Sequence, residues 1–301
     1  MRLHRRLGNS LEGIETSRRV GEDGTVSIAP TIAATTSVTP FARDLRAWRA
    51  RRGLSQLDLA IRVGTTQRHL SFIEQGRSSP GRTMVIRLAE SLELSLADRN
   101  GLLTSAGFAP VFPESDLDGA ELRPVREALD AILAGHEPYP AVVVRSGGEI
   151  VASNTAIDIL FEGVDPDLLE TPMNAYRLAL HPCGMAPRIR NFPDWGNHVI
   201  HGLRAASRRS PNPAIDDLLA ELSEYVPASN PGRDHLGFAV PLRLDSSDGE
   251  LTLITTLTSF ATATDVTLAN LQLEAFLPAN DASATILRAR AARRASVIIA
   301  H

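Results

Sequence analysis

Thr66, Gln67 and Arg68 stand in a row within the stretch VGTTQRHLSFIEQGR, residues 63–77. The Gln amide presents donor and acceptor side by side, and the Arg guanidinium presents a planar fork of donors, so each can bond a flat polar edge at two points. A helical pattern that opens with such groups and buries only Leu70 and Ile73 behind them aims its polar tip at a partner outside its own domain. A second group of chemically capable side chains lies downstream: His181 and Cys183, with His198 and His201 spaced i and i+3. Such histidines could share a zinc ion with Cys183, but the spacing fits no standard zinc signature. The sequence holds no G-x-S-x-G, glycine-rich phosphate loop or Walker motif. We therefore assign no catalytic residue, metal or cofactor, and an enzyme ranks last among the readings.

The elements that position these residues fall into two bodies. With 301 residues, 43% of them hydrophobic, the chain can bury more than one core. No apolar run approaches the length of a membrane span, and the N-terminus MRLHRRLGNSLEGIE lacks the apolar block of a signal peptide. These features place the protein in the cytoplasm and away from the membrane, in agreement with a single cysteine, Cys183. Residues 41–110 carry 11 Arg against 6 acidic residues, whereas the part beyond them has a formal charge of −10. A basic segment joined to an acidic body is the asymmetry expected when one part alone meets an anionic polymer.

Residues 1–39 show no usable periodicity and read as a disordered or flexible extension. A helix begins at Thr39-Pro40, a cap followed by proline at the first helical position, and aligns Phe41, Leu45 and Trp48 on one stripe. Ser55 caps a second helix with Asp58 at its third position, Leu59, Ala60 and Val63 form its core face, and Gly64 makes the turn. The third helix ends at Gly76, and GRTMVIRLAESLEL and SLADRNGLLTSAG supply two more. The result is a compact all-α domain of five helices over residues 40–110.

LSQLDLAIRVGTTQRHLSFIEQGRSSP resembles the helix-turn-helix of the XRE-type, phage-repressor-like (lambda-repressor-like) transcription regulators. The resemblance covers 41 to about 106 and implies double-stranded operator DNA as partner, with the start of the third helix in the major groove. Thr66 then caps the recognition helix, Gln67 and Arg68 meet adenine and guanine edges, and Ser71 points the same way one turn on. Gln56 matches the family position that holds a phosphate at the start of the second helix, and Arg77 and Arg46 are further phosphate contacts. Arg49 and Glu74 match the family's ion pair between first and third helices. For any single polar residue here, simple solvation weighs as much as a base contact, and His69 reads as solvent-facing.

After the Pro, Gly and acid-containing linker FAPVFPESDLDG the texture changes. LRPVREALDAILAG reads as a helix. YPAVVVRSGGEIVASN reads as two strands joined at Ser146-Gly147-Gly148, and TAIDILFEG as a helix. Helical patterns follow at NAYRLALHP, DWGNHVIHGLRAASRRS and AIDDLLAELSEYV. LGFAVPLRL and ELTLITTLTSF alternate as strands joined by DSSDG, with Leu236, Phe238, Val240, Leu242 and Leu244 on one face, and helices close the chain. An antiparallel sheet with helices packed on it is an α+β, PAS-like sensory architecture, expected over 120–290 with a tail at 291–301.

The segments PAVVVRSGGEIVASNTAIDILF, NAYRLALHPCGMAPRIRNFPDW, LLAELSEY and TLTSFATATDVTLANLQLEAFLPANDASATILR look like the ligand-binding domain of MmyB-like transcription regulators. The resemblance implies a PAS-like pocket for a small, largely apolar, fatty-acid-like ligand. Asn174, Arg177 and Trp195 lie in the most characteristic segment and are able to orient a head group such as a carboxylate. A semi-buried Arg is more often paired with a carboxylate of its own chain, and core packing accounts for Phe161, Ile254, Phe260 and Phe276 as well as pocket lining does. The leading expectation is a homodimeric, ligand-responsive repressor. An antitoxin-like or scaffold protein, using its acidic domain for protein contacts, is the alternative.

Overall fold

A computed structural model describes residues 38–227, 239–260 and 262–299, and the backbone of two short antiparallel strands, β1 (Arg19–Val20) and β2 (Val26–Ser27). The rest of the expected N-terminal extension lies outside the described residues. So do Leu236 and Phe238 of the alternating stretch near 240.

Five helices form the first body: α1 (Pro40–Arg51), α2 (Gln56–Val63), α3 (Gln67–Glu74), α4 (Arg82–Ser91) and α5 (Leu96–Ser105). Thr39 caps α1, accepting from the Ala42 N–H at 3.2 Å, and Pro40 costs no hydrogen bond at the first position. Ser55 and Asp58 exchange bonds in a complete capping box, Asp58 N–H to Ser55 Oγ at 3.1 Å and Ser55 N–H to Asp58 Oδ2 at 2.9 Å. Phe41, Leu45, Leu59, Leu70, Ile73 and Leu88 are buried together, each contributing on the order of 2 kcal/mol of apolar transfer. Gly64 turns α2 into α3 with φ +70°, and a Cβ there would stand 2.8 Å from Arg87 Nη2. Arg87 reaches that close because it donates to the Val63 carbonyl that ends α2.

The second body is built on a five-stranded antiparallel sheet of order β4-β3-β7-β6-β5, from β3 (Ala141–Arg145), β4 (Ile150–Ser153), β5 (Leu242–Ser246), β6 (Gly249–Ser259) and β7 (Leu271–Pro278). Strands β3 and β7, the first and last of the sheet in sequence, pair side by side at its centre. Both sheet faces are covered, which is why Ala-Val-Val-Val in β3 is continuously apolar and buried. Ala141, Val143, Leu271, Leu273 and Ala275 pack on Leu129 and Leu133 of α6 (Arg123–Gly135). Val142, Leu253 and Phe276 look the other way, toward α7 (Ala175–Leu180), α8 (Phe192–Arg209) and α9 (Pro213–Tyr225).

Several expectations need correction. Helices were expected to close the chain, yet after the short α10 (Val266–Ala269) comes β7, and only then α11 (Asp281–Ile299). In LQLEAFLP the helix formers Leu, Glu and Ala alternate with period two, and pairing with β3 and β6 overrides their propensity. TAIDILFEG contains only a short 3-10 turn at Thr155–Ile159, and the strand expected from Leu236 starts at Leu242, after Pro241. Residues 291–299 are not a tail but the end of α11. Arg293 and Arg294 there bond Asp248 and Asp158, and Arg290 gathers Asp158, Glu162 and Asp248.

The connector expected as a linker is stitched to both bodies. Asn100 of α5 accepts from the Val111 and Phe112 N–H groups and donates to the Phe112 carbonyl at 2.7 Å. Beyond it, Ser115 N–H donates to Asp265 Oδ2 at 3.1 Å, and Thr267 Oγ1 donates to the Ser115 carbonyl at 2.7 Å. Burial opposes the charge on Asp265, yet bonds from Ser115 and from the Leu268 and Thr267 N–H groups hold its carboxyl below the ordinary 3.8. A group with a depressed folded pKa stabilises above its unfolded pKa, and that contribution is lost as pH falls through the folded value. Wild type should therefore exceed Asp265→Asn in urea-unfolding stability above about pH 4 and lose that margin at lower pH; a pH-independent difference would contradict the assignment.

Candidate functional sites: an exposed helix tip and a cavity between the two bodies

The exposed end of α3 is assembled by a buried charge behind it. Thr66 caps the helix, accepting from the His69 N–H at 3.1 Å, which leaves Gln67 and Arg68 as its first two residues, both exposed. The Arg68 guanidinium rests over the Phe72 ring, 5.2 Å from its centroid, so Phe72 serves as a platform and not as core. Ser71 accepts from Gln75 Nε2 at 2.9 Å, and Arg77 stands exposed beyond Gly76. His69 is half-buried, its Nδ1 3.1 Å from Thr65 Oγ1, and is not solvent-facing as expected.

Glu74 closes α3 with only 1% of its side chain exposed. Arg49 meets it bidentately at 2.6 and 3.0 Å, and Gln56 Nε2 donates to it at 2.8 Å. Arg46 Nη2 donates to the Glu74 backbone carbonyl at 2.7 Å. The hydrogen bond with Glu74 raises the Arg49 pKa against the opposing effect of burial. Gln56 and Arg46, read as phosphate contacts, thus have donors committed inward to the end of α3.

A cavity of about 870 Å³ opens between the sheet and α7–α9, and its mouth reaches the helical body. Phe161 and Trp195 line it, and Phe276 forms part of its wall. Four other expected residues do not play that part. Asn174 caps α7, accepting from the Tyr176 and Arg177 N–H groups while donating to the Gly147 carbonyl at 2.9 Å. Arg177 pairs with Glu221 of α9 at 2.7 Å, the intrachain pairing weighed against its ligand role. Ile254 is not part of the cavity wall, and Phe260 packs on the opposite sheet face with the α6 cluster.

Residues not read as site members replace them. Tyr176 enters the wall because Gly148, at φ +84°, has no side chain: a Cβ there would lie 2.4 Å from the tyrosine ring. Burial, then the charge of Glu274, pushes the Tyr176 phenol up to about 12, so it stays protonated. Glu274 faces the cavity from β7, and burial raises its carboxyl pKa. The period-two alternation of LQLEAFLP was the signal that would have found it. On β6, Leu251 and Leu253 are buried, whereas Thr255 and Leu257, on the same face, line the cavity.

The mouth belongs to both bodies. Arg52, Ser95 and Asp98 of the helical body line it opposite Arg209 and Ser210 of the second. Ser210 Oγ donates to Asp98 Oδ2 at 2.7 Å, and Arg52 Nη2 donates to the Arg209 carbonyl at 3.2 Å. The histidine and cysteine group is occupied otherwise: the Cys183 N–H donates to His181 Nδ1 at 3.0 Å, and the His181 ring meets Tyr225 edge-on. Among the described residues no three His, Cys, Asp or Glu side chains gather as a metal site, and no helix is long and apolar enough to cross a membrane.

A five-helix body with an exposed polar helix tip, joined to a sheet domain with a cavity, defines a helix-turn-helix regulator with a sensing domain. Residues 125–289 match the MmyB-like transcription regulator ligand binding domain, more than half of the chain, and residues 40–102 match a helix-turn-helix domain. The chain belongs to the MmyB-like transcription regulators, and is a DNA-binding transcription regulator.

Solved structures of other proteins are similar to a part of the chain. The restriction-modification controller protein C.AhdI from Aeromonas hydrophila is 26% identical, over 20% of this chain and 92% of its own, with a TM-score of 0.20. The clp gene regulator ClgR from C. glutamicum is 26% identical over 23% and 86%, with a TM-score of 0.21. An HTH_3 family transcriptional regulator from Vibrio cholerae is 30% identical over 22% and 35%, with a TM-score of 0.20. No curated protein matches the sequence.

Removing the Glu74 carboxylate strands Arg49 against the core. Glu74→Ala should cost roughly 3 kcal/mol in urea unfolding followed at Trp48, and Arg49→Met/Glu74→Leu should recover much of that loss. A cost for Glu74→Ala below about 1 kcal/mol would show that the pair is replaceable by water.

Proposed function

We propose that the protein is a one-component, ligand-responsive repressor that binds operator DNA as a homodimer through the start of α3 and senses a small, largely apolar molecule in its PAS-like domain. The observation that carries this reading is the cavity whose mouth is walled by both bodies. A molecule filling it has contacts on each side, so its binding depends on their relative placement. Only a ligand with unequal affinity for two placements shifts the protein between them. The alkyl chain of the fatty-acid-like class implied by the family resemblance fits the apolar part of the wall, where Phe161, Leu178 and Trp195 lie, and the wall there leaves the head group open.

On DNA, Gln67 and Arg68 take base edges, with Arg68 held over Phe72. Thr66 sets the helix start, Ser71 flanks the contact, and Arg77 meets phosphate. Arg46 and Gln56 act chiefly by fixing the end of α3 through Glu74. Two copies place their α3 helices about 34 Å apart, one turn of DNA, on a roughly palindromic site. Repression needs only occupancy of promoter DNA and no further surface.

Fluorescence anisotropy with the DNA upstream of the protein's own gene, at two salt concentrations, tests base readout. Gln67→Ala/Arg68→Ala should lose on the order of a hundredfold in affinity for the preferred site while salt-dependent binding to unrelated DNA falls far less. Unchanged selectivity in the double variant would remove both residues from base readout, and binding of a single monomer per operator would sink the dimer.

A further inference from the structure

Glu274 is the one acidic side chain presented by β7, the central strand whose even-numbered residues face the cavity. Val142 and Leu257 are its cross-strand partners on β3 and β6, Gln272 and Phe276 flank it along the strand, and Thr255 lies diagonally across on the same face. No hydrogen bond or ion pair engages its carboxylate among the described residues, although Tyr176 lies near enough for the two to influence each other electrostatically. The arginines of the cavity stand at its mouth. Arg52 has its fork committed to the carbonyls of Leu92, Glu93 and Arg209, and Arg209 is exposed.

Glu274 is half-buried, and a carboxylate partly withdrawn from water and left without a partner carries a desolvation cost that a bound donor relieves. A second carboxylate brought beside it adds repulsion, and one of the two must take up a proton. Asn174 and Arg177, the polar groups that would suit an anionic head group, are spent on the α7 cap and on Glu221.

We propose that Glu274 selects the ligand's head group, so that the cavity takes an amphiphile ending in a hydrogen-bond-donating ammonium group and disfavours a carboxylate of the same chain length. This rests on the ligand-binding reading above and gives it a chemical class. The ammonium donates to Glu274, with the Tyr176 hydroxyl available as an acceptor nearby, and the alkyl chain lies along Val142, Leu178 and Phe276.

Isothermal titration of the full-length protein at neutral pH with decylamine, decanol and decanoate, each below its micellar concentration, tests the proposal. Decylamine should bind with one-to-one stoichiometry at least about tenfold tighter than the other two, the worth of one charge-assisted hydrogen bond. In Glu274→Gln that preference should fall to within about threefold, and a urea-unfolding transition like that of wild type shows that the variant is folded. Decyltrimethylammonium, which keeps the charge and lacks donors, should bind wild type more weakly than decylamine, a comparison that needs no variant. Decanoate binding as tightly as decylamine, a preference that survives in Glu274→Gln, or equal binding of the trimethyl compound would each overturn the head-group assignment and leave the pocket reading standing. No binding of any of the four compounds would overturn both.

Discussion

The carboxylate of Glu74 is buried to 1% exposure, and a charge so placed is tolerable only where opposite charge and hydrogen bonds surround it. Arg49 supplies the charge from α1, and Gln56 adds a donor from the first turn of α2. Three helices are thereby tied at one point, and with Arg46 donating to the backbone carbonyl of Glu74 itself the end of α3 has little freedom. The other end of α3 is an exposed tip whose direction is set by this network and by the Gly64 turn, where a Cβ would crowd the Arg87 guanidinium.

A helical body tied in this way resists internal repacking. Movement as a unit is the easier change, and among the described residues the hydrogen bonds that join the two bodies are these. Ser210 to Asp98, Arg52 to the Arg209 carbonyl, and the connector pinned by Asn100 and Asp265 join the bodies without an apolar seam of their own in the two main core clusters. Hydrogen bonds that are partly exposed exchange with water at little net cost, so such a joint can settle in more than one arrangement. The cavity mouth lies at this joint, where a bound molecule has leverage on it.

Most of the helical body was legible because its signals are local. Thr39-Pro40, Ser55 with Asp58, Thr66 and the glycines at 64 and 76 act within a few residues of their own position. The pairing of Arg49 with Glu74 was readable only through a family resemblance, since it joins residues far apart in sequence. In the second domain β3, β4 and α6–α9 were visible from periodicity, whereas β7 was hidden: Leu, Glu and Ala favour a helix, and what makes them a strand is the pair of neighbours waiting at β3 and β6. Missing β7 meant missing Glu274.

The polar residues expected at the ligand site have internal partners. Asn174 and Arg177 occupy a conspicuous segment, but their hydrogen-bonding capacity is consumed in holding α7 to the β3–β4 turn and to α9. They shape the cavity by placing Tyr176 against Gly148. A side chain whose partners are all internal has little left for a ligand, whereas a polar one that faces a cavity without an internal partner keeps its hydrogen-bonding capacity. Glu274 is of the second kind: an acid on a central strand, among Val142, Leu257 and Phe276, costs folding free energy that no contact within the described chain returns. Local inconsistency of that sort marks where a fold has been shaped for something outside itself.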